Sequence, residues 1–115
     1  MKPLLPLLLL AAPALADPPE IVATEAARQG ENWRISVTIA HPDSGWEHYA
    51  DGWRVEMEDG TVLGTRVLAH PHETEQPFTR SLSGVSIPEG TERVFLRARC
   101  LVDGWSEERT VHDLP

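Results

Sequence analysis

From residue 21 onward the chain alternates apolar and polar residues with a period of two, and turn-forming residues interrupt it about every ten positions. A period of two places successive side chains on opposite faces, so the pattern suits half-buried strands and leaves no amphipathic helix. The clearest case is Trp33, Ile35, Val37 and Ile39, which alternate with Arg34, Ser36 and Thr38. Breaks fall at Gln29-Gly30-Glu31, Pro42-Asp43-Ser44-Gly45, Asp59-Gly60, Pro88-Glu89-Gly90 and Asp103-Gly104, each rich in residues that favour turns. Between them the spacing predicts strands over residues 21–27, 33–40, 48–57, 61–70, 78–87, 93–102 and 106–114, with Gly64 as a bulge. Seven or eight short strands in one small domain predict an all-β sandwich of the immunoglobulin or fibronectin-III type, with Trp53 as its core tryptophan. With only Cys100 available, the inter-sheet disulfide of antibody domains is absent, which favours the fibronectin-like variety.

The first sixteen residues follow different rules. Lys2 precedes an apolar run interrupted by Pro6 and Pro13, and Ala14-Leu15-Ala16 forms a small-x-small cleavage pattern. The run is shorter than the ~20 residues a spanning helix needs. Residues 1–16 are therefore expected to be a cleaved signal peptide, with 17–115 a single β-sandwich domain, periplasmic or secreted and without membrane insertion. The part after the signal sets eighteen acidic residues against nine arginines and no lysine. So acidic a surface repels phosphate backbones and anionic lipid, which excludes nucleic acid as a partner and leaves cations or another envelope protein. Cys100 follows Val94, Leu96 and Ala98 at alternate positions, so it reads as a buried small hydrophobe rather than a thiol ligand.

The segments Trp46-Glu47-His48-Tyr49, 64–68, His70-Pro71-His72 and 75–82 resemble an uncharacterised family of small exported bacterial proteins with an immunoglobulin- or fibronectin-III-like sandwich. The resemblance implies export and one small β domain. It implies no activity and carries over no functional residues.

The residues that invite chemistry cluster around His70-Pro71-His72. In an extended segment, positions i and i+2 share a face, and Pro71 favours that extension. A hairpin turning at Asp59-Gly60 pairs positions whose numbers sum to about 119, which sets His48 beside His70. The expected metal ligands are thus His48, His70 and His72, with Glu75 or Asp103 adding an oxygen, and the expected ions are Cu or Zn. A structural role for the His-Pro-His turn is the alternative. His41 and His112 each stand alone and are expected to be solvated or locally bonded.

A second function class rests on aromatic residues. Trp46 and Trp105 follow turn glycines, and with Tyr49 they offer a surface for a protein or carbohydrate partner. Arg93, Arg97 and Arg99 form a stripe expected to pair with Glu107 and Glu108. No Gly-x-Ser-x-Gly elbow and no phosphate-binding glycine loop occurs, so the chain is expected not to be an enzyme.

Overall fold

The computed structural model describes residues 18–115; the expected signal peptide lies outside the described residues. Eight strands follow in order: β1 (Glu20–Gln29), β2 (Asn32–Ala40), β3 (Ala50–Glu56), β4 (Val62–Val67), β5 (Phe78–Val85), β6 (Arg93–Cys100), β7 (Gly104–Trp105) and β8 (Thr110–Asp113). No helix occurs among the described residues, and so none is long and apolar enough to cross a membrane. One sheet has the order β1-β2-β5. The other runs β4-β3-β6-β7, with β8 also pairing β6, and every pairing is antiparallel. This is an immunoglobulin-like strand order, with the fourth strand beside the third rather than in the first sheet.

The apolar stripes meet between the sheets. Trp33, Ile35, Val37 and Ile39 of β2 pack with Trp53 and Val55 of β3, Phe78 and Val85 at the two ends of β5, and Val94, Leu96 and Ala98 of β6. Trp53 is fully buried, as expected of the core tryptophan. The β3–β4 hairpin has the expected register, with Gly52 opposite Val67 and Val55 opposite Gly64, and it slips by one between Val55 and Glu56. A Cβ on Gly64 would lie 2.9 Å from Leu82 Cδ2, so the glycine allows the two sheets to approach here.

Two expectations need correcting, and one burial is unexpected. The last strand is split, because beyond Trp105 the guanidinium of Arg97 takes the carbonyls of Ser106 and Glu107, and β6 regains a partner only at Thr110. The arginine stripe pairs with Asp113, Glu56 and Asp51 rather than with the side chains of Glu107 and Glu108. Glu56 has the parity of a solvent-facing residue yet is wholly buried. Its cover is a set of guanidiniums: Oε2 accepts from Arg54 Nε at 2.6 Å and Arg97 Nε at 2.8 Å, and Oε1 from Arg109 Nη1 at 3.2 Å. Burial pushes this carboxyl up, but the hydrogen bonds from Arg97, Arg54 and Arg109 outweigh it and hold the pKa below the usual carboxylate value. Arg54 in turn stacks on Trp105, its guanidinium carbon 4.0 Å from the ring centroid.

Candidate metal centre

At one end of the sandwich three chain segments converge. His41 directly follows β2, His48 lies in the loop leading into β3, and Cys100 closes β6. Cys100 pairs with Ala50 at the start of β3, and Ala50 N donates to Asp43 Oδ1 at 3.0 Å, which ties this sheet to the loop that follows β2. The loop turns back on itself. Ser44 N donates to His48 O at 3.0 Å and His48 N to Gly45 O at 3.1 Å, with Gly45 at φ 125° where a side chain would be strained. That reversal points His48 back toward His41, and the two rings stand perpendicular with centroids 4.8 Å apart.

A nitrogen of His41, a nitrogen of His48 and Cys100 Sγ all lie within 4.8 Å of one another. Bonds of 2.0–2.3 Å in a tetrahedral shell put donor atoms roughly 3.5 Å apart, so small side-chain shifts would close the group on an ion. Two further features suit it to that task. His41 Nε2 and His48 Nε2 are both buried without a hydrogen-bond partner. Buried polar atoms of that kind are rare unless something else satisfies them. His41 Nδ1 meets the buried carboxylate of Asp43 at 2.5 Å, and because a carboxylate only accepts, Nδ1 carries the hydrogen. In the neutral ring the lone pair is then on Nε2. Cys100 is fully buried yet lies outside the principal apolar cluster.

His48 is thus the one expected metal ligand found in this group. The expected neighbours go elsewhere. The β3–β4 ladder ends near Leu68, whose N–H donates to Asp51 O, and the reversal at Gly45 removes His48 from the line of the hairpin before it reaches His70. His70 is exposed, with Nδ1 against Pro71 O at 3.1 Å. The His72 ring is buried, stacks on Phe78 with centroids 3.8 Å apart, and accepts from Arg80 Nη2 through Nε2 at 3.0 Å. That guanidinium occupies the lone pair a metal would need. Burial, then Arg80, then His70 hold the His72 pKa below the usual histidine value. Glu75 bonds Arg80, and Asp103 is exposed in the turn after β6.

The aromatic candidates are distributed differently. Trp46 is 67% exposed and meets Tyr49 edge-on at 5.8 Å. Trp105 is half-buried on the outer face of the second sheet, between Arg54 and Arg99. His112, expected to be solvated or locally bonded, instead bonds Thr24 Oγ1 of β1 at 2.7 Å, from one sheet to the other. His41, expected to be solvated or locally bonded, is locally bonded but buried, and Cys100 is buried but beside imidazoles rather than only hydrophobes. The sequence signal was partial: His41 and His48 flank the loop entering the Trp53 strand, but only the fold shows that the antiparallel partner of that strand ends at Cys100.

No family model matches the chain. A protein from Halomicrobium mukohataei described as "Putative lipoprotein" is 42% identical over 84 residues, which are 73% of this chain. The match spans 41% of that relative's length. The crystal structure of a hypothetical protein from Pyrococcus horikoshii OT3 aligns over 86% of this chain and 88% of its own, at TM-score 0.54 and 15% identity, which shows a shared fold. A one-iron superoxide reductase from Giardia intestinalis aligns over 83% of this chain and 99% of its own, at TM-score 0.48 and 15% identity. The expectation that the chain is not an enzyme is withdrawn on that finding, although so distant a likeness assigns no activity.

Proposed function

We propose that this protein is an exported metal-binding module whose ligands are His41, His48 and Cys100, and whose ion is a first-row transition metal, copper or zinc. The observation that carries this reading is the grouping of one ring nitrogen each of His41 and His48 with the buried Cys100 thiol, all within 4.8 Å of one another, and it is supported by the burial of both Nε2 atoms without a hydrogen-bond partner. Two imidazoles and a thiolate form a mixed nitrogen–sulfur donor set of the kind zinc and copper prefer. Hard ions such as Ca²⁺ and Mg²⁺ seek oxygen donors and would be poorly served. Three protein donors also leave a coordination position for a further ligand. The description of the Halomicrobium mukohataei relative as a lipoprotein supports export to the cell envelope, as does the signal-like pattern of residues 1–16.

The test is native mass spectrometry and calorimetry on protein prepared without chelator. One Cu or Zn per chain is expected, with binding lost in His41→Ala, His48→Ala and Cys100→Ser and kept in His70→Ala and His112→Ala. Absence of saturable binding by either ion at neutral pH would end the proposal.

A second reading concerns a partner rather than an ion. Trp46 is exposed beside Tyr49, Leu101 N donates to Tyr49 O, and Leu101 and Val102 are exposed as well. These side chains border the proposed metal centre and suit the docking of another envelope protein.

A further inference from the structure

Asp43 is the most heavily committed side chain near the proposed centre, and no sequence pattern singles it out. Its carboxylate is buried and fully partnered. Oδ1 accepts from His41 Nδ1 at 2.5 Å and from Ala50 N at 3.0 Å, and Oδ2 accepts from His72 N at 2.7 Å. Gln76 adds a parallel clamp: His41 N donates to Gln76 Oε1 at 2.9 Å, and Gln76 Nε2 donates to His72 O at 2.7 Å. The connector bearing His70 and His72 is thereby fastened to His41 through two independent sets of hydrogen bonds.

We infer that Asp43 is a positioning residue for the proposed metal centre, fixing His41 in the tautomer that leaves the buried Nε2 lone pair free to ligate beside Cys100 and His48, and that the 71–76 connector braces it from behind. The inference rests on the metal-binding reading. It assigns the His-Pro-His segment an outer role in place of direct ligation. The electrostatics agree. A divalent ion among two neutral imidazoles and one thiolate keeps one uncompensated positive charge in a buried place, and the Asp43 carboxylate behind His41 supplies the second negative charge. In the absence of metal that same carboxylate is stabilised by its three N–H donors.

Two measurements test this. The first is the ¹⁵N spectrum of the imidazoles in metal-free wild-type protein, where His41 should carry its hydrogen on Nδ1 with Nε2 unprotonated. A hydrogen on Nε2 alone would overturn the inference whether or not any metal binds. The second is zinc affinity of Asp43→Asn, which keeps an acceptor for His41 but removes the charge and turns an amide toward His72 N. Loss of such an outer partner costs about 10–100-fold in affinity, so a loss of that size is expected in folded variant protein. A folded variant binding zinc as tightly as wild type would overturn the inference. Should Asp43→Asn fail to fold, the tautomer measurement decides. Failure of wild-type protein to bind zinc or copper would instead refute the metal-binding reading itself, while the His41 tautomer would still report on Asp43.

Discussion

Replacing Glu56 by Gln should be among the most damaging single changes in this domain. The carboxylate oxygens accept four guanidinium contacts between 2.6 and 3.3 Å from Arg54, Arg97 and Arg109. Glutamine keeps the shape but sets an NH₂ where one oxygen now accepts two N–H groups, and it leaves three positive charges facing one another. Breaking a buried ion pair by removing one partner costs about 3–5 kcal/mol. The three arginine side chains keep 20–24% of their surface in water, which screens the unpaired charges and places the expected loss near the lower end, about 3 kcal/mol. For a domain of this size that lowers Tm by roughly 12 °C or more. Urea unfolding followed by tryptophan fluorescence would measure it, with an unchanged slope showing that the unfolded state is unaltered. A loss under ~1 kcal/mol would refute the reasoning, because it would mean that the arginines are satisfied by water and Glu56 does not hold β3 to β6.

Further outcomes follow from the same structure. Glu56 and His72 both have depressed pKa values when folded, so the unfolded chain takes up their protons more readily. Stability should therefore fall as pH drops below about 6.5 and again below about 4.5, and His72→Gln should remove the upper step in a pH series of urea midpoints. Trp53→Ala should cost about 3–5 kcal/mol by the same assay, since the ring is fully enclosed between the sheets. Trp46→Ala should change stability by less than about 0.5 kcal/mol, and a larger loss would mean that the exposed ring organises the His41–His48 loop.

The sandwich was readable in the sequence because its signals are local. Period-two alternation on β2 fixes which face is buried, and Asp59-Gly60 sets the β3–β4 register, so both could be derived without knowing what lies across the core. The donor group was not local. Cys100 meets His41 and His48 only once β6 pairs with β3 and the two sheets are packed, and residues 41 and 100 lie far apart in sequence. The Gly45 reversal that redirects His48 depends on a backbone bridge to Gly45 that strand periodicity cannot show. Parity alone does not show the burial of Glu56. The residue does face outward, but arginines from β3, β6 and the segment before β8 close over it, a burial created by long side chains rather than by the opposing sheet. His-Pro-His drew attention by spacing alone, and spacing is silent on Arg80 and Phe78, which occupy the His72 ring.

X-ray absorption on zinc-loaded protein would read the donor atoms of the proposed His41–His48–Cys100 centre themselves. One sulfur at ~2.3 Å and at least two imidazole nitrogens at ~2.0–2.1 Å are expected, with the sulfur contribution absent from Cys100→Ser. A shell of nitrogen and oxygen alone, unchanged by Cys100→Ser and removed by His70→Ala, would contradict that donor set and place the ion at the exposed His70.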